Sequence, residues 1–308
     1  MKAVKFIRIF LFVTFVSTFV LKAQSQRDYV SISGTRFTYP LIEKWISEYK
    51  KVSPEARIKI QYNKQVNDSV NLRVIAHTLT QSEIKPNELY FQVSRYALLP
   101  ITNERNLPLK KEFKRGLKQE DLKKVFFVDP SSAYEEETKG QPVVTVYTRA
   151  NQTCSSIAFA NHFGLGPNEI KGKKISGEDK YLTLAVQKDT TGVSFNNLGY
   201  IFDINTRVPV KGINILAIDL NGNGKIDKEE LIYDNLDVLT QYLENNQDNK
   251  AIPTDYVSFI VNKNQKSETL QKFISWVLTE GQKYNHTYGF LNNNTTSSTL
   301  SQHLLGLQ

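Results

Sequence analysis

The residues from Asp219 to Glu230, DLNGNGKIDKEE, have the types and the spacing of a calcium-binding loop. Asp219, Asn221 and Asn223 stand at positions 1, 3 and 5 of the EF-hand template; Lys225 offers its carbonyl at 7, Asp227 sits at 9, and Glu230 is the bidentate acid at 12. Gly224 falls at position 6, where the backbone turns too sharply for a side chain. Hard oxygen donors around a hard cation is the chemistry this order implies, and the competing reading is a polar Asn/Gly turn that happens to fit. The residues before the loop, Ile213 to Ile218, alternate like a strand, and there is no second loop. A lone loop outside a helix pair points to structural bracing by calcium, not to the opening of a hydrophobic groove. Its three acids suit the modest affinities of exported modules.

A second chemistry lies at two turns, one at Ser33-Gly34-Thr35 and one at Arg149 to Ser155. Each reads as a strand running into a helix, and a helix N-terminus presents free backbone N–H groups and partial positive charge to an anion. Thr35, Thr153 and Ser155 add hydroxyl donors, and Arg149 adds a bidentate fork. Singly, each hydroxyl would serve equally as a helix cap and Arg149 as a surface residue. Together they suit a tetrahedral oxyanion.

The elements that would position these turns are legible. Tyr29 to Gly34 alternates as a strand; Leu41, Ile42, Trp45, Ile46 and Tyr49 share one helical face; Pro54 ends that helix; Arg57 to Tyr62 alternates again. Strand, helix, strand at this spacing is a βαβ unit and implies a parallel sheet. Further strands are expected at Tyr90–Pro100, Val143–Tyr147, Gly199–Phe202, Ile213–Ile218 and Tyr256–Asn262, with helices near Lys110–Lys124, over Thr153–Phe163, and from Ser267, whose Leu270, Phe273, Ile274, Val277 and Leu278 fill one face. The Asn/Thr/Ser-rich tail from Asn292 to Ser301 reads as poorly ordered.

The N-terminus carries Lys2, Lys5 and Arg8 before the apolar run Ile9–Leu21, with a small residue at Ala23. That run is shorter than the roughly 20 residues a membrane span needs. It reads as a signal peptide over residues 1–23, cleaved near Ala23, which leaves no stable membrane insertion. Its removal takes four positive charges and no acid, so the net charge falls from +8 to +4. No dense basic run with interleaved aromatics occurs, which argues against nucleic acid. The single cysteine, Cys154, forbids an intramolecular disulfide, so the fold rests on an ordinary core. No nucleophile elbow, zinc-protease motif or P-loop is present, and an enzyme is not expected. The four histidines, His77, His162, His286 and His303, are isolated in sequence and read as structural or exposed; none lies near Cys154 to activate it.

Ser33-Gly34-Thr35-Arg36-Phe37-Thr38-Tyr39-Pro40-Leu41 resembles the first βα turn of the periplasmic phosphate-binding subunits of ABC importers. Thr148 to Ser155 is similar to the family's "R-x-D-x-S-G-T" anion turn, and Phe195 to Tyr200 and Phe273 to Gly289 are similar to two further blocks. The resemblance covers about residues 28–291. It implies an α/β, two-domain type 2 periplasmic-binding fold with two crossing strands, near Arg95–Pro100 and Pro253–Tyr256. Domain I would be residues 27–96 with 256–308, and domain II residues 97–255, containing the calcium loop 219–230. The implied anion site is Gly34, Thr35, Arg36, Phe37, Arg149, Thr153, Cys154 and Ser155; the implied partners are phosphate or a similar oxyanion and an inner-membrane ABC permease, met as a periplasmic monomer.

Three departures stand out. Arg36 and Cys154 replace the family's Thr and Gly. The stretch Val74 to Ser82, VIAHTLTQS, lacks the Asp that in the family accepts the proton of monohydrogen phosphate, and Asp68 is the nearest alternative. An envelope interaction protein that kept the scaffold and lost tight anion binding is therefore the second reading.

Overall fold

The computed structural model describes residues 29–62, 70–107, 109, 115–128 and 144–293. The signal segment, Asp68, Val143, His303 and the tail beyond residue 293 lie outside them. Among the described residues, nine strands form one curled mixed sheet in the order β2-β1-β3-β9-β4-β7-β5-β6, with β8 on β4. They are β1 Tyr29–Gly34, β2 Arg57–Ile60, β3 Leu72–Ile75, β4 Glu88–Asn103, β5 Thr145–Arg149, β6 Lys173–Ile175, β7 Gly192–Asn197, β8 Ile213–Ile215 and β9 Thr254–Asn262.

The expected βαβ unit forms. Helix α1, Tyr39–Val52, carries the chain from β1 to its parallel partner β2, and β3 joins β1 in parallel on the other side. α1 buries Leu41, Ile42, Trp45, Ile46 and Tyr49. Trp45 meets Phe259 edge-on and donates its indole N–H to the Gly281 carbonyl at 2.9 Å, which satisfies its one buried polar atom.

Strand β4 carries both halves of the sheet. Its first part pairs antiparallel with β9, from Glu88↔Asn262 to Ala97↔Thr254, with a register shift between Gln92 and Ser94. Its last residues pair with β7, Leu98↔Asn197 to Thr102↔Val193, and with β8 at Ile101↔Ile215. Midway, Arg95 exchanges backbone hydrogen bonds with Leu291 and pairs its buried guanidinium with Glu244 at 2.8 Å. Glu244 also accepts the Asn292 N–H, and Arg95 Nε donates to the Asn292 carbonyl at 3.1 Å, so the last described residues are clipped against the middle of β4.

Beyond β4 lie helices α2 Gln119–Phe126, α3 Cys154–His162, α4 Lys180–Lys188, α5 Leu198–Ile201 and α6 Leu236–Asn245. α7, Glu268–Leu278, packs against β1 and α1, with Phe273 against Tyr49 and Phe259; Ser267 caps it by accepting the Leu270 N–H at 3.0 Å. Two expectations are corrected. The segment Gly199–Phe202 is not a strand: the strand precedes it as β7, and Leu198–Ile201 makes one helical turn. Every β7 residue is buried, yet Ser194, Asn196 and Asn197 break its apolar pattern, because their side chains bond to neighbouring backbone and side-chain groups rather than to water. β8 also stops at Ile215; Ile218 contributes only an isolated bridge to Leu117.

The core of this second half is aromatic. Phe159 stacks on Phe195 at 3.7 Å and meets Phe126 and Phe163 edge-on at 5.2 and 5.1 Å. All four are buried. Phe159→Ala removes the ring common to these contacts and is expected to lower stability by about 3–5 kcal/mol in urea unfolding.

Candidate functional site

β1 and β5 both end at one cavity of about 400 Å³. Gly34, Thr35, Arg36 and Phe37 line one wall, with Arg73, Val74, Ile75 and His77; Arg149, Thr153 and Cys154 line the other, with Gly177, Glu178, Asp179 and Tyr200. The structure thus gathers seven of the eight expected anion-site residues around one cavity. Ser155 stands just behind it, donating to Asp179 Oδ2 at 2.7 Å.

The first wall turns at Gly34, whose φ is +150°. A Cβ there would lie 2.0 Å from the Val74 carbonyl oxygen, so no side chain fits. Tyr39 braces the turn: its hydroxyl accepts the Gly34 N–H at 2.9 Å and donates to the Gly34 carbonyl at 3.1 Å. Thr35 does not cap the following turn. Its hydroxyl faces the opposite wall, 3.1 Å from Cys154 Sγ. Arg36 also crosses the cleft, 3.3 Å from Glu178. Phe37 is buried against Tyr96 and Phe290 and forms part of the floor.

The second wall is the N-terminus of α3. Thr153 caps it, accepting the Ser156 N–H at 3.3 Å, while Ser156 Oγ accepts the Thr153 N–H at 2.8 Å. The N–H groups of the first turn, Cys154 and Ser155, have no partner within the helix. Arg149 is buried and committed. Its Nη1 donates to the Ile175 and Glu178 carbonyls at 3.0 and 3.3 Å, and its Nη2 to Gly177. Its Nε lies 3.0 Å from Asp179 Oδ1, an ion pair without hydrogen-bond alignment. Burial pushes the Asp179 carboxyl upward, opposed by Ser155 and by Arg149. Arg149 therefore anchors the loop from Ile175 to Asp179, and the cleft's three arginines each have a carboxylate partner, Arg73 pairing with Glu88.

Sequence reasoning missed His77 and Asp179. His77 falls in the segment that lacks an Asp, at the end of β3, and is buried. Its Nδ1 lies 3.3 Å from Cys154 Sγ, so the imidazole absent near Cys154 in sequence is supplied by the fold. Sγ also accepts the Ala76 N–H at 3.4 Å. Burial pushes the thiol's pKa up, against the lowering effect of Thr35 and Ala76.

In the loop 219–230, Gly224 has φ +86° and Asp219 and Glu230 are buried. Asp219 accepts the Gly222 and Gly224 N–H groups, each at 2.7 Å; Glu230 accepts those of Leu220 at 2.6 Å and Asp227 at 2.8 Å. Asn221 and Asn223 accept the N–H groups of Asn223 and Lys225, and Lys225 Nζ pairs with Asp227 at 2.7 Å. The donor types and the turn fit a hard cation. Among the described residues, however, no group of three or more His, Cys, Asp or Glu side chains converges as a metal site.

No protein-family model matches the sequence, and no curated protein matches it. Solved structures are alike in fold. A putative phosphate ABC transporter substrate-binding protein with bound phosphate from Clostridium perfringens has a TM-score of 0.61 at 14% identity, over 86% of this chain and 100% of its own. An ABC-type phosphate transport receptor from Vibrio cholerae has a TM-score of 0.58 at 13% identity, over 86% and 100%. PstS from Borrelia burgdorferi has a TM-score of 0.51 at 17% identity, over 87% and 100%. The fold is thus the α/β periplasmic-binding fold of phosphate substrate-binding proteins. No helix among the described residues is long and apolar enough to cross a membrane.

Of the other histidines, His286 pairs with Glu244 at 2.9 Å, and His162, at the end of α3, is held by burial and by Lys250 and Lys123 at a pKa of about 4. Unfolded, it would titrate near 6.5. The unfolded chain therefore takes up a proton first as pH falls, so the neutral imidazole's contribution is intact above pH 6.5 and lost progressively toward 4. Over that window the loss is expected to be roughly 2–3 kcal/mol. Urea unfolding at stepped pH should show it, and His162→Gln should flatten that stretch.

Proposed function

We propose that this chain is an exported solute-binding protein that clasps phosphate or a related tetrahedral oxyanion between its two halves and delivers it to an ABC importer. One observation carries the reading: a strand-to-helix turn from each half opens onto the same cavity, with Thr35 facing the N-terminus of α3. Hydroxyl and backbone N–H donors at a helix N-terminus match a compact anion. The likeness to phosphate receptors in fold supports it, and the basic, apolar start of the sequence supports export.

In this reading residues 27–96 with 256–308 form one domain and 97–255 the other, with β4 near Arg95–Pro100 and the approach to β9 near Pro253–Tyr256 as the hinge. The glutamate and aspartate on the cavity wall, Glu178 and Asp179, already hold arginines. Neither is free to demand a protonated ligand, so sulfate as well as phosphate suits the cleft. Calorimetric titration of the purified chain with each anion is expected to give micromolar binding. Thr35→Val should weaken it about tenfold, the scale of one hydrogen bond to a charged group. Heat from neither anion would sink the reading.

The loop 219–230 is proposed to bind calcium through Asp219, Asn221, Asn223, the Lys225 carbonyl, Asp227 and Glu230. When bound, the ion would supply charge that draws these oxygens together and braces the segment between β8 and α6. Calcium is expected to raise the melting temperature by several degrees over chelator, and Glu230→Gln should abolish that difference. An equal melting temperature with and without calcium would remove the ion from the account.

A further inference from the structure

Cys154 is the chain's one cysteine, and its sulfur meets three polar groups of the opposite wall of the cleft: Thr35 Oγ1 at 3.1 Å, Ala76 N at 3.4 Å and His77 Nδ1 at 3.3 Å. His77 is 7% exposed, and its Nε2 has no hydrogen-bond partner; Glu83 Oε1 stands 3.7 Å away from it. A carboxylate on that side favours the tautomer with the proton on Nε2, which leaves Nδ1 free to accept the thiol proton. A thiol with an imidazole acceptor, a hydroxyl and an N–H donor around it, at a helix N-terminus, is an arrangement that supports a thiolate.

We infer that Cys154 and His77 form a reactive thiol–imidazole pair, and that Cys154 is a site of S-thiolation by low-molecular-weight disulfides entering the cleft. The thiol gives its proton to His77 Nδ1 and its sulfur attacks one sulfur of the disulfide. The reagent's S–S bond breaks, a new S–S bond joins Cys154 to one half, and the other half leaves as a thiolate that takes the proton from His77. Cys154 is oxidised and the departing half reduced. Contacts of 3.1 to 3.4 Å leave no room for an added group between Sγ and the facing wall. The adduct must therefore fill the cavity and part the walls, which makes the cysteine a covalent stop on closure. This holds whichever anion, if any, the cleft takes. Burial of the thiol opposes reaction; the Thr35 hydroxyl and the Ala76 N–H oppose that effect, and His77 Nδ1 stands where the proton must go. The charged groups around the pair are Glu83 on His77, Asp179 and Asp255 toward the thiol, and Arg36, Arg73 and Arg149 on the cavity walls.

The test is incubation of the folded chain with oxidised glutathione, followed by intact mass and by amide hydrogen exchange. One adduct per chain is expected, with faster exchange at Ala76 once it forms. The pH–rate profile should carry two inflections, one from each member of the pair. His77→Gln, which keeps the bulk and removes the base, should react about tenfold more slowly and show one inflection. Modification only in denaturant would overturn the proposal, as would an unchanged rate in His77→Gln. Should that variant fail to fold, a single inflection in the native profile would overturn it equally.

Discussion

Everything in this fold hangs on β4. Its sixteen residues make roughly 50 Å of extended chain, and from Val93 onward, where every residue is buried, its backbone groups must find partners within the protein. The partners come from different parts of the chain: β9 beside the first ten residues, β7 and β8 beside the last six. One strand thereby aligns two βα systems so that the ends of β1 and β5 open onto the same space. The register shift between Gln92 and Ser94 falls within the β9 pairing, a few residues before the neighbours of β4 change at Leu98.

The cleft's electrostatics follow from burial. Arg149 lies under the mouth of α3, where an unpaired guanidinium would be costly. Asp179 and three carbonyls from Ile175 to Glu178 absorb it, and that same set fixes the loop forming the second wall. Positive potential in the cavity then comes from the helix N-terminus and from exposed Arg36, which Glu178 pulls across the gap. Arg149, which the sequence offers as a bidentate fork for an anion, lines the cavity while it holds this loop.

How much could be read from the sequence follows from where the periodicity survives. α1, β2 and α7 have one face on the core and one in solvent, so their patterns are clean; β1 also alternates, because its buried polar position is Ser31, bonded to Asn71. α6 went unread although its pattern is as clean: Leu236, Leu239, Thr240 and Leu243 share a face behind the Asn235 cap, which accepts the Asp237 N–H at 2.9 Å. β7 was not readable, since a strand buried on both faces that carries two asparagines and a serine has neither an apolar run nor an alternation. The turns at Gly34 and Thr153 were legible because glycine and hydroxyl residues mark them. The pairings of Arg149 with Asp179 and of Cys154 with His77 were not, because those partners meet only through the topology.

The clip between Arg95 and Leu291 bears on the order in which the chain can become structured. The sheet half holding β7, β5, β6 and β8 is drawn from one continuous stretch of chain, completed once residue 215 has emerged. The half holding β1, β2 and β3 lacks its central strand until β9 has been made, and its seal at Leu291 comes some thirty residues later still. β3 must therefore wait, unpaired on its β9 side, while the whole chain between Ile75 and Thr254 is made.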